Sequence, residues 1–115
     1  MRLLDTDAVI DLLRRRDYEA GSISAITLIE VLRGIAEEKR AGVKELLEES
    51  FDVIGLDNET ILVYCTLYQA LKEKGESIPD ADLLIGATAI SRDIPLTTGD
   101  HHFQRLKEFG LRITD

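Results

Sequence analysis

One cysteine in 115 residues leaves no partner for an intrachain disulfide and no thiolate set for a metal cluster. That thiol, Cys65, sits among Val63, Tyr64 and Leu67 and reads as a core side chain rather than a nucleophile. No apolar run approaches the length of a membrane span, and the N-terminus lacks the basic, apolar and small-residue regions of a signal peptide. Repeats, low-complexity tracts and linkers are missing as well. Together these absences point to one reduced, cytoplasmic domain, expected over residues 1–115.

Basic residues are also scarce. Lys and Arg number 14 against 22 Asp and Glu, a formal charge of −8. Nucleic-acid binders usually carry a basic surface, because neutralising phosphates drives their affinity. This acidic excess instead favours a cationic partner, a metal site or plain solubility. What is plentiful is apolar: 44% of the chain is hydrophobic, enough for a single core at this length.

The order of segments suggests the architecture. Arg2-Leu3-Leu4 reads as a short buried strand running into Asp5-Thr6-Asp7, and a helix then carries Ala8, Val9, Ile10, Leu12 and Leu13 toward Arg14, Arg15 and Arg16. Residues 21–25 form a short second strand or an extended entry to the next helix. From Thr27 a helix places Leu28, Ile29, Leu32, Ile35 and Ala36 at helical spacing, and a shorter one over 39–50 is built on Val43, Leu46 and Leu47. Residues 51–54 alternate as a strand does. A long helix opening at Asn58 and Glu59 should bury Ile61, Cys65, Tyr68 and Leu71 and stop at Lys74-Gly75. Pro79 interrupts the chain before a helix that is apolar on nearly every face over 83–90. A strand at 95–98, a helix with Phe103, Leu106 and Phe109, and a strand at 111–114 close the sequence. Strands alternating with helices indicate an α/β domain with a mostly parallel central sheet flanked by helices.

In such sheets ligands bind beyond the carboxyl ends of the strands. That rule selects Asp5 and Asp7 after the first strand, Asp100 after the strand at Leu96, and Asp80 and Asp82 at the start of the apolar helix. Each acid also has a structural reading: Asp5, Asp80 and Asp100 as helix caps, and Thr27 with Glu30 as a capping box. Capping needs one acceptor per helix, however, and two helix starts here offer two. Two carboxylates about 4 Å apart repel by about 4 kcal/mol at an effective dielectric of about 20. Several of them in one pocket require raised pKa values or a cation. Oxygen donors without thiolates select Mg²⁺ or Mn²⁺ over Zn²⁺. His101 and His102, adjacent in one helix turn, lack the further ligands of a zinc site.

With these residues in view, the sequence resembles a PIN domain of the VapC toxin ribonuclease type, along essentially its whole length. Leu3-Leu4-Asp5-Thr6-Asp7 is similar to the family's opening strand with its aspartate, and Ser24-Ala25-Ile26-Thr27-Leu28-Ile29-Glu30-Val31 with Gly34 to its glutamate-bearing segment. The stretch from Ile78-Pro79-Asp80-Ala81-Asp82 through Ala89 resembles the block that carries a further aspartate, here Asp82. Leu96-Thr97-Thr98-Gly99-Asp100 with Phe103 resembles the last block. Asp7 departs from the asparagine found in many members.

The resemblance implies hydrolysis of RNA phosphodiesters by an endoribonuclease, the toxin of a type II toxin–antitoxin pair. Asp5, Glu30, Asp82 and Asp100 would be both the catalytic residues and the ligands of one or two Mg²⁺ or Mn²⁺ ions. Asp7, Asp80 and Thr98 would support them, and Arg14, Arg15 and Arg16 are the candidates for RNA contact. It also implies a cognate antitoxin, commonly a homodimer, and no membrane.

Three other readings use the same residues. A receiver-like phosphoacceptor domain would cast Asp5, Asp7 and Asp57 as its acids but leaves Glu30, Asp80 and Asp82 idle. A haloacid-dehalogenase-type phosphatase would use Asp5 and Asp7 in an Asp-x-Asp pattern, in an unusually small chain. A PIN-like scaffold that only binds would not need intact acids. Incubation with acetyl phosphate separates the first of these: a covalent adduct at Asp57, seen by intact mass, is expected from a receiver, and none from a nuclease.

Overall fold

Leu3 and Leu4 form strand β1 (Leu3–Leu4), and because neighbouring strand side chains point to opposite faces they enter two different cores. A computed structural model describes residues 1–114. After β1 come α1 (Thr6–Arg15), β2 (Ser22–Ser24), α2 (Ala25–Arg33), α3 (Glu37–Ser50) and β3 (Asp52–Ile54). Then follow α4 (Asn58–Glu73), α5 (Asp80–Arg92), β4 (Leu96–Thr97), a 3₁₀ helix (His101–Phe109) and β5 (Ile113–Thr114). The five strands form one sheet in the order β3-β2-β1-β4-β5, and every pair is parallel. Leu3 stands opposite Ser22 on one side and Leu96 on the other.

This order disposes of the receiver reading, whose doubly wound sheet runs 2-1-3-4-5. Here β3 lies at the sheet edge, two strands away from β1. Asp57 beyond it is occupied as the α4 cap, accepting from the Thr60 N–H at 2.8 Å and pairing with Arg92 at 3.2 Å.

Leu4 packs with Val9, Leu12, Ile23, Val31, Leu47 and Phe51 on the face covered by α1, α2 and α3. Leu3 packs on the other face with α4, α5 and the 3₁₀ helix, through residues such as Leu67, Ile85, Leu96 and Phe103. Helix α5 is the densest part of that layer, with Leu83 and every residue from Ile85 to Ala89 buried. A methyl group at Gly86 would run into the Leu106 side chain, itself fully buried, so glycine sets the distance between α5 and the 3₁₀ helix. Across the other side of α5 the Ser91 and Thr60 hydroxyls share a hydrogen bond of 2.7 Å, tying it to α4.

The structure corrects several expectations about which faces are buried. In α4 the buried stripe is Thr60, Leu67 and Leu71, with Val63 and Tyr64 packed partly against it. Ile61, Cys65 and Tyr68 lie one row round the helix and are exposed, so Cys65 is not a core thiol. Both rows are apolar, and only packing chooses between them. In α3 only Leu47 is buried, and Leu46 faces outward. The last helix is 3₁₀ rather than α, and ends at Gly110 with φ of 103°.

Substituting Gly86 tests the close approach. Gly86→Val should cost roughly 2 kcal/mol by overpacking. The reading is a lower urea midpoint at unchanged m-value.

Candidate metal centre

Strand order determines where the acids can meet. From β1 the chain winds outward through β2 and β3, then crosses back to β4 and β5 on the other side. The reversal between β1 and β4 is the topological switch point, where open parallel sheets leave a crevice at their carboxyl edge. Asp5 leaves β1 at that crevice, and Thr98, Gly99 and Asp100 leave β4 beside it.

Asp5 is 4% exposed and uses both oxygens. Oδ1 accepts from the Ala8 N–H at 2.8 Å, capping α1, and Oδ2 accepts from the Thr98 hydroxyl. The cap expected for Asp5 is therefore present, and each oxygen still has a lone pair for another partner. The Thr98 hydroxyl in turn accepts from the Asp100 N–H at 3.0 Å, and Asp100 Oδ1 caps the 3₁₀ helix through the His102 N–H at 2.9 Å. One threonine thus joins two of the acids.

Glu30 enters from α2 in a way the capping-box reading does not describe. Ser24 caps that helix by accepting from the Ile26 N–H at 3.0 Å, so the helix begins two residues before Thr27. Thr27 is fully buried, and its hydroxyl lies 3.1 Å from that of Thr6. Thr6 donates to Glu30 Oε1 at 2.6 Å, and Arg33 lies 3.6 Å from Oε2. Glu30 is oriented by a neighbouring helix start rather than spent on its own.

Asp80 is not the cap of α5 either. Pro79 occupies that position, with no side-chain hydrogen bond. Asp80 Oδ1 instead accepts from the Tyr64 hydroxyl at 2.7 Å. That bond pushes the Tyr64 pKa up to about 12, so Tyr64 remains a donor at any ordinary pH. The tether holds the first turn of α5, where Asp82 sits.

Electrostatics tie these acids into one cluster. Burial pushes the Asp5 carboxyl up; the Thr98 and Ala8 hydrogen bonds oppose this, and Asp7 and Asp100 add to it. Asp82 is raised by burial first, then by Asp100 and Glu30, against an opposing pull from His102. Asp82 and Asp100 each offer an oxygen within 4.8 Å of the other, Asp5 is joined to Asp100 through Thr98, Glu30 is felt at Asp82, and exposed Asp7 is felt at Asp5. Their carboxylate oxygens suit a hard divalent cation, whose charge would favour the ionised forms against the effect of burial.

His102, for which the sequence offers no zinc ligand set, meets two of these acids. Its Nδ1 lies 3.4 Å from Asp100 Oδ1 and 3.6 Å from Asp82 Oδ2. One donor atom from each of Asp82, Asp100 and His102 falls within 4.8 Å of the others. The available signal was the two-residue step from a capping aspartate, which brings a side chain back over the cap. Of the three arginines, Arg15 is paired with Asp11 and Asp17, whereas Arg14 shares a groove with Glu30 between α1 and α2.

Residues 2–108 match the PIN domain family. The chain is 43% identical to Ribonuclease VapC1 of Methanocaldococcus jannaschii, over 98% of this chain and 86% of the relative. It is similar in structure to VapBC-1 from nontypeable Haemophilus influenzae, with a TM-score of 0.85, 27% identity and coverage of 99% and 96% of the two chains. DNA-bound VapBC from Salmonella typhimurium gives a TM-score of 0.84 and 26% identity over the same shares.

The raised carboxyls carry a signed consequence for the metal-free chain. Both groups bind protons more tightly folded than unfolded, so their contribution is most favourable below the unfolded aspartate pKa of about 3.9 and is lost as pH rises through the folded values. Asp82→Asn should therefore raise the melting temperature of chelator-treated protein by a few degrees at pH 7.5 and by much less at pH 4. Thermal melts of both forms across that range check the trend.

Proposed function

Because this chain belongs to the PIN domain family, we propose that it is a metal-dependent endoribonuclease and the toxin of a type II toxin–antitoxin pair. The observation that carries this reading is the meeting of acids at the switch point of a parallel sheet, Asp5 joined to Asp100 through Thr98, Asp100 within 4.8 Å of Asp82, and Glu30 felt at Asp82. These four would hold Mg²⁺ or Mn²⁺. When bound, such an ion supplies Lewis acidity at the phosphodiester and lowers the pKa of the attacking water.

The surrounding residues prepare the site. Thr98 orients the Asp5 carboxylate, Thr6 orients Glu30, and the Tyr64–Asp80 tether steadies the turn that carries Asp82. Arg14, which shares a groove with Glu30, would meet a phosphate of the RNA, with Arg16 farther along the same helix end. The whole described chain serves as one nuclease domain in this reading, and its compartment is the cytoplasm. No helix among the described residues is long and apolar enough to cross a membrane.

The structural relatives are VapBC complexes, and this chain would likewise be held in check by an antitoxin. A net charge of −8 suits a basic antitoxin segment. A homodimer belongs to the same reading, and the exposed apolar row of Ile61, Leu62 and Tyr68 on α4 is surface available for it.

Asp5→Asn and Asp82→Asn should each abolish Mn²⁺-dependent cleavage of RNA, at least about a hundredfold, with the circular dichroism spectrum unchanged. Asparagine caps helices about as well as aspartate, so loss of activity would not come from loss of the α1 cap. Cleavage retained in both variants would refute the metal-nuclease reading.

A further inference from the structure

We propose that His102 is a direct nitrogen ligand of the metal shared by Asp82 and Asp100, and that it biases this centre toward Mn²⁺ over Mg²⁺; this rests on the metal reading above. The separations of 3.4 Å and 3.6 Å from Nδ1 to the two carboxylate oxygens are long for hydrogen bonds. They are close to the separation of adjacent ligands on one ion, about 3.1 Å for octahedral bonds of about 2.2 Å. Donor atoms of Asp82, Asp100 and His102, all within 4.8 Å of one another, can face a single ion together.

The backbone fixes one of the carboxylates. Asp100 Oδ1 accepts from the His102 N–H at 2.9 Å, so the start of the 3₁₀ helix holds that carboxylate beside the residue that carries the ring. Asp82 arrives from α5, whose distance from the 3₁₀ helix is set by Gly86 against Leu106. The ring is 46% exposed, so it can bind without being stripped of water beforehand. Ligation through Nδ1 would require the neutral ring with its proton on Nε2.

Donor chemistry gives the selectivity. Mg²⁺ takes oxygen ligands in near-ideal octahedra and keeps its waters; Mn²⁺ shares the taste for carboxylates but, as the first of the divalent transition series, accepts a nitrogen donor more readily. Exchanging one oxygen donor for a nitrogen therefore adds little for Mg²⁺ and more for Mn²⁺.

The test uses the full chain with Mn²⁺ as the probe. Electron spin-echo modulation of the bound Mn²⁺ should show coupling to an imidazole nitrogen in the wild type and in His101→Gln, and none in His102→Gln. By calorimetry, His102→Gln should weaken Mn²⁺ binding by about tenfold or more and Mg²⁺ binding by no more than about threefold. Mn²⁺ bound without nitrogen coupling, or equal losses for the two ions, would overturn the role of His102 while leaving the carboxylate centre intact. Unchanged Mn²⁺ affinity in Asp82→Asn would instead overturn the centre itself.

Discussion

The hydrogen bond from the Thr98 hydroxyl to Asp5 joins residues 93 apart in sequence, at the place where the sheet reverses direction. Everything that makes this edge chemically interesting depends on that closure. Asp5 reaches it because β1 is sandwiched between two cores, and Thr98 because β4 pairs with β1 in register, Leu3 opposite Leu96 and Leu4 opposite Thr97. The same hydroxyl then orders the turn to Asp100. A short polar side chain thereby converts a strand pairing into a spacing between two carboxylates.

Bringing like charges together opposes folding, and the chain resists the opposition with burial elsewhere. Helix α5 presents Asp82 at one end and is apolar over nearly all the rest, so the hydrophobic layer holds the acid in place without help from a capping bond. Glu30 is held differently, by the Thr6 hydroxyl and by Arg33. Asp5 is thus positioned by neutral hydrogen-bond donors, Asp82 by packing, and Glu30 partly by a cation 3.6 Å away.

Much of this was readable in the residues, and the exceptions share a physical cause. Asp5 and Asp100 could be placed because acids following strands reach the carboxyl edge, and α5 because no amphipathic stripe can be drawn on 83–90. The phase of α4 could not, since Ile61, Cys65 and Tyr68 are as apolar as the row that is buried. The start of α2 was obscured by two hydroxyls, Ser24 and Thr27, either of which can cap; the strand end decides in favour of Ser24. His102 was hidden because its partners come from another helix and a preceding turn. Local patterns report on faces and caps, whereas strand order and the meeting of distant side chains are decided by long-range packing.

The close contact at Gly86 has a mechanical meaning. Helix α5 and the 3₁₀ helix, locked together there, form one stiff body bearing Asp82, Asp100 and His102. The layer of α1 and α2 forms another, bearing Asp5, Thr6 and Glu30. Between them runs a seam of two parallel strands, each two residues long, closed at the top by one threonine. Those strands are hydrogen-bonded, Leu3 N–H to the Pro95 carbonyl at 2.8 Å and Asp5 N–H to that of Thr97 at 3.2 Å, so the ladder itself gauges how far apart the two halves of the cluster stand.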